Sequence, residues 1–171
     1  MNGQNHIVVV TPLKFLSIEE FEKHRKSVGE SSALELMALM ENVKTEVLAR
    51  KEMAKKLKEK GNAAFVEKRY DEAEKFYSEA IELNIGCRPL WTNRAACRNT
   101  MKKYEEAISD CDIALSIDKK CIRSIKEKGN ALLGLQKFDE VKECYESLRT
   151  LGEPVLADTY LKKLHDIQVG I

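Results

Sequence analysis

LKEKGNAAFVEKRYDEAEKFYSEAIELN (residues 57–84) is answered by WTNRAACRNTMKKYEEAISDCDIALSID at 91–118 and IKEKGNALLGLQKFDEVKECYESLRTLG at 125–152. Each copy begins 34 residues after the one before it. Gly61, Ala95 and Gly129 keep that interval, as do Tyr70, Tyr104 and Phe138, and likewise Tyr77, Cys111 and Tyr145. Ala73, Ala107 and Val141 follow it, with Ala80, Ala114 and Leu148. Small residues and aromatics in fixed phase at this period predict a solenoid of helix–turn–helix units. One such unit cannot bury its apolar face alone. Stacked units bury a continuous core and leave a curved groove, whose default use is to hold another chain.

Three repeats are expected over 54–155, at 54–87, 88–121 and 122–155. The first helix of each ends before Lys68-Arg69, Lys102-Lys103 or Gln136-Lys137. An aromatic followed by two acidic residues then opens the second helix, where negative charge suits the positive end of the helix dipole. Glycine inside a helix costs about 1 kcal/mol relative to alanine, so its return at 61 and 129 marks close approach of two helices. Pro154 stops the third unit, and 156–171 reads as a capping helix and C-terminal tail, with Tyr160, Leu161, Leu164 and Ile167 turned toward the last repeat. Upstream, residues 1–30 read as a loose tail and a short helix opened by the Ser17–Glu20 capping box. A second helix over 31–53, capped by Ser32 with Glu35, carries Leu34, Met37, Met40, Val43, Val47 and Leu48 at threes and fours. That stripe is expected to cover the exposed face of the first repeat.

Charged residues make up 33% of the 171, yet the net charge is only +1, which gives no general pull toward nucleic acid or an anionic membrane. The longest clean apolar run, Leu36–Met40, is far below a membrane span. Ile7–Val10 lacks the flanks of a secretory signal. Five cysteines without a Cys-x-x-Cys pair read as reduced thiols in a cytoplasmic protein. His6, His24 and His165 are scattered, so no metal site is expected. No nucleophile–base arrangement or phosphate loop points to catalysis, a cofactor or a small-molecule substrate.

A bulky residue at position four of each unit (Leu57, Trp91, Ile125), Gly or Ala at eight and an aromatic at seventeen resemble the tetratricopeptide repeat (TPR) pattern, as do the residues at twenty, twenty-four and twenty-seven. The proline usual near position thirty-two is absent; Ile85, Lys119 and Glu153 stand there. The resemblance implies an all-α, right-handed superhelix of three helix–turn–helix repeats, with N-terminal helices and a C-terminal capping helix. LKEKGNAAF and WTNRAACR are similar to co-chaperone TPR domains of the carboxylate-clamp type, which bind the acidic C-termini of cytosolic heat-shock chaperones. SDCDIAL and IDKKC are similar to TPR proteins of axonemal dynein assembly. Carried over by position, the resemblance implies a clamp of Lys58, Asn62, Asn93 and Arg123. Glu127 occupies the fifth site, where the family has arginine.

Spacing supports a shared surface for these residues. Positions two, five, six and nine of each first helix lie on one face. That face offers Lys55, Lys58, Glu59 and Asn62, then Pro89, Thr92, Asn93 and Ala96, then Arg123, Lys126, Glu127 and Asn130. A terminal carboxylate needs several converging donors, and lysine, arginine and asparagine supply them. Phe65 and Leu133, one turn on, are placed to shelter an apolar side chain of the peptide. Trp91, at a packing position, reads as core. The expected function is a non-catalytic adaptor for chaperone tails. The alternative is a TPR scaffold with a degenerate clamp, binding another protein.

Overall fold

The computed structural model describes residues 30–170, and within them seven helices. We number these α1 (Glu30–Val66), α2 (Tyr70–Leu83), α3 (Arg88–Thr100), α4 (Tyr104–Ile117), α5 (Ile122–Gly134), α6 (Phe138–Thr150) and α7 (Pro154–Val169). The tail and short helix expected before residue 30 lie outside the described residues. The chain divides within α1 into two compact units, before and after Leu48.

In the first unit the expected separate helix over 31–53 is not seen. α1 starts at Glu30, ahead of Ser32, and runs for 37 residues without a break into the first helix of repeat one. The physical reason is composition: nothing between Ala33 and Lys60 breaks a helix, and Ala, Leu, Met, Glu and Lys are its strongest formers. Within that unit Leu34, Met37 and Met40 are 71%, 63% and 49% exposed, whereas Val43 and Val47 are half-buried.

The second unit holds the repeats. Helices pack in sequence from α2 to α7, and α3 also packs on α5, first helix upon first helix. Glycine works here through close approach. A Cβ on Gly61 would stand 2.7 Å from the Tyr77 ring, and one on Gly129 would stand 2.3 Å from the Tyr145 ring. In repeat two the smaller Cys111 replaces the tyrosine, and alanine fits at 95; both are fully buried. Each turn between paired helices places one residue in the left-handed region: Lys68 (φ 62°), Lys102 (62°) and Gln136 (59°). The next amide reaches back five residues, Arg69 to the Ala64 carbonyl (2.9 Å) and Lys103 to that of Arg98 (2.8 Å), satisfying the helix end.

Trp91 is core, with its indole N–H donating to the Ile85 carbonyl at 2.8 Å. That bond pins the inter-repeat turn at a site where the family pattern has proline. Pro154 opens α7 in its first turn, where a missing N–H costs nothing, so it starts the capping helix as well as ending the repeat. Leu164 is buried against the last repeat, and Tyr160 stacks on Tyr145 with ring centroids 4.8 Å apart. Ile167, expected on that face, is exposed instead.

Candidate peptide-binding groove

Asn62 and Phe65 of α1, Asn93 and Ala96 of α3, and Arg123 of α5 line one cavity of about 290 Å³, together with Val66 and Tyr77. Three successive first helices therefore bring five of the expected groove residues together. Asn62 Oδ1 accepts from the Tyr77 hydroxyl at 2.7 Å and from Asn93 Nδ2 at 3.1 Å. Spending the Asn62 oxygen on these two donors leaves its own NH₂ free to face the cavity. Arg123 is exposed and makes no ion pair among the described residues. Asn93 is 9% exposed, and its Oδ1 is buried without a hydrogen-bond partner. The cavity wall thus presents amide and guanidinium donors suited to an anion.

Tyr77 was legible only as a packing residue. Its hydroxyl was the overlooked signal, since a buried phenol seeks a partner, and here it orients a groove amide. Burial pushes the phenol up to about 12, with nearby Cys97 adding to the shift and the Arg123 charge opposing it. It therefore remains a hydrogen-bond donor at neutral pH.

The remaining expected residues stand elsewhere. Lys58 is half-buried one turn before Asn62, and Lys55, Lys126 and Asn130 are exposed; none of the four lines the cavity. Thr92 leaves the inner face altogether, fully buried with its hydroxyl 2.8 Å from that of Ser124. Glu127 neither lines the cavity nor pairs with Arg123. The Asn99 amide donates to its carboxylate at 3.1 Å and to its backbone carbonyl at 2.9 Å. Lys128, the next residue along α5, pairs with Asp112 at 2.6 Å.

The cysteines are free thiols. Burial pushes Cys97 up to about 12 and Cys144 up to about 11, which makes them poor nucleophiles. At Cys121 burial acts in the same upward sense, but the Ser124 hydroxyl and amide and the Arg88 guanidinium outweigh it and hold the thiol below its usual value. Among the described residues no group of three or more His, Cys, Asp or Glu is placed to hold a metal ion, and no helix is long and apolar enough to cross a membrane.

The profile of the tetratricopeptide repeat family matches residues 59–84. Tetratricopeptide repeat protein 12 of Homo sapiens is 40% identical over 98 residues, covering 57% of this chain and 14% of that protein. The Hsp70/Hsp90 co-chaperone cns1 of Schizosaccharomyces pombe is 34% identical over 97 residues, covering 54% of this chain and 27% of its own length. The chain thus spans only a minor part of either relative. Among solved structures, the first TPR of Spaghetti (RPAP3), bound to the HSP90 peptide SRMEEVD, matches with a TM-score of 0.64 and 33% identity. That match covers 70% of this chain and 95% of the other. With its three hairpins in register and this likeness over nearly the whole of a solved TPR domain, the chain belongs to the tetratricopeptide repeat family.

Proposed function

We propose that the chain is a non-catalytic, cytoplasmic adaptor whose concave groove grips the acidic C-terminal peptide of a heat-shock chaperone, in the manner of a co-chaperone or assembly factor. One observation carries this reading: Asn62, Asn93 and Arg123, from three separate helices, meet at a single cavity. A terminal carboxylate there receives the Asn62 NH₂, the second Asn93 N–H and the Arg123 guanidinium, while Phe65, Val66 and Ala96 meet the apolar side chain beside it. Lys58, one turn back, adds charge from the rim. The solved TPR domain bound to SRMEEVD supports the choice of ligand.

Titration with a free-acid Glu-Glu-Val-Asp peptide and its C-terminal amide tests the proposal. Charge-assisted hydrogen bonds contribute about 1.5–3 kcal/mol, so amidation is expected to weaken binding roughly ten- to a hundredfold. Asn93→Ala should remove most of the difference. Equal affinities for the two peptides, or no binding below about millimolar, would dismiss the clamp.

Glu127 motivates a second reading, a scaffold whose clamp is idle. Its carboxylate is already held by Asn99, so it braces α3 against α5 and offers a peptide no donor. Glu127→Arg separates the two readings. A gain of tenfold or more for the free-acid peptide marks a weakened clamp, whereas no change moves the binding surface elsewhere.

A further inference from the structure

Ala54, Leu57, Gly61 and Ala64 recur along α1 at three, four and three residues, and Ala54 and Ala64 are buried in the core that α2 helps to build. Going back from Ala54 by alternate fours and threes gives Arg50, Val47, Val43, Met40, Leu36 and Ala33. That alternation is the heptad spacing of one helix packed on another. In the first repeat the partner is α2, and the Arg50 guanidinium donates to the carbonyl of Glu82 near its end at 3.2 Å. α2 stops at Leu83, so the seam before Arg50 needs a different partner.

Ala33, Leu36, Val43 and Val47 are half-buried. Met40, between them on the seam, remains exposed, and Leu34 and Met37 beside it are more so. The compact unit that ends at Val47 contains only this half of α1 and residues 1–29. A partner from within the unit has to come from those upstream residues.

They carry one stretch with the required pattern. Phe15, Ile18 and Phe21 stand at threes around the Ser17–Glu20 capping box, and Lys23, Arg25 and Lys26 follow. Cations suit a helix C-terminus, and glycine, here Gly29, commonly closes one. Ser27, Val28 and Gly29 leave a three-residue connection to Glu30, a length that joins antiparallel helices. Charge favours this occupant over a second copy of the chain. Residues 30–47 carry four acids and one lysine, so two copies laid side by side repel. An antiparallel hairpin instead brings Lys23, Arg25 and Lys26 to the start of α1, near Glu35.

We infer that Leu13–Lys26 folds back along the first half of α1 and closes a helical hairpin with it. With so short a connection, Phe21 meets Leu36, Ile18 meets Met40 and Phe15 meets Val43. Leu13, in extended chain ahead of the Ser17 cap, reaches Val47. Formation of the hairpin does not depend on what the groove binds.

Replacing Phe21 with 4-benzoylphenylalanine, which keeps an aromatic ring there, tests the contact in the full chain. Benzophenone abstracts hydrogen preferentially beside a thioether sulfur, so Met37 and Met40 are its nearest good targets. Irradiation is expected to give a product of single-chain mass whose crosslink maps to residues 33–43 by mass spectrometry. Ile18→Asp/Phe21→Asp reads the same contact without a label. Amide-exchange protection over 36–47 should fall roughly tenfold or more, while α2 to α6 keep theirs. A product of twice the chain mass, rising with protein concentration, would assign the seam to a second copy and overturn the inference. Crosslinks confined to the repeats, no crosslink, or unchanged protection in the Asp variant would overturn it as well.

Discussion

Ala95 differs from Gly61 and Gly129 for a reason found sixteen residues on. Tyrosine at 77 and 145 fills the space where a Cβ would project from the glycines, and cysteine at 111 leaves room for the methyl group of Ala95. The period reveals that a small residue is needed; only the packing reveals that its size is traded against one particular partner. Gly129→Ala tests this. The substitution gains helix propensity of about 1 kcal/mol, but it drives a methyl into a ring that is 1% exposed and stacked on Tyr160. Overpacking of a filled core costs about 1–3 kcal/mol, so a net loss is expected in urea unfolding. A gain in stability would show that the ring yields and that the glycine is dispensable. Tyr77 teaches a related lesson, because its hydroxyl sets the orientation of Asn62 and joins packing to the site in one side chain.

Between elements, a charged network does work that periodicity does not reveal. Asp110 on α4 is buried at 1% exposure and receives both Arg94 (2.9 and 2.8 Å) and Arg98 (2.9 Å) from α3. Arg98 reaches on to Glu74 of α2 at 2.7 Å, and Lys103, in the α3–α4 turn, meets the same carboxylate at 2.8 Å. Arg94 also donates to Ser78 at 2.9 Å and lies over the Trp91 ring. The sequence shows these only as acids and bases on helices, which most often mark solvated faces; their burial follows from stacking α2 against α3 and α4. Burial pushes the Glu74 carboxyl up, but the hydrogen bonds and charges of Lys103 and Arg98 outweigh it and hold it below its ordinary value of 4.5. A carboxyl with a lowered folded-state value contributes stability that is complete above the unfolded value. That contribution fades as pH falls below about 4.5 and is gone once Glu74 protonates in the folded state. Glu74→Gln is therefore expected to cost about 2 kcal/mol at pH 7, with the gap to wild type closing on acidification through that window. Parallel stability–pH curves for the two proteins would remove Glu74 from the network.

At the scale of the molecule, the three hairpins and the capping helix were legible because a solenoid repeats its packing constraints at each turn. The continuity of α1 through residues 53 and 54 was not, since a run of good helix formers carries no mark of where one structural role gives way to the next. The groove was legible in part: Asn62, Asn93 and Arg123 share a cavity, whereas Thr92 turned inward to Ser124 and Glu127 was claimed by Asn99. Both departures arise from contacts between repeats, which spacing within one helix does not encode. The same dependence on neighbours governs stability. Val141, Tyr145 and Leu148 of α6 are at most 1% exposed, and α7 is the element that packs over that helix at the end of the stack. In a solenoid each unit is held by its neighbours, so losing the cap should act first on the adjoining repeat and fade with distance. Truncation after Gly152 is accordingly expected to collapse amide-exchange protection in α5 and α6, while α2 to α4 keep most of theirs behind the Arg94–Asp110 network. Uniform loss of protection from α2 to α6 would instead show the repeats opening as one cooperative unit, and the nearest-neighbour account of this stack would fail.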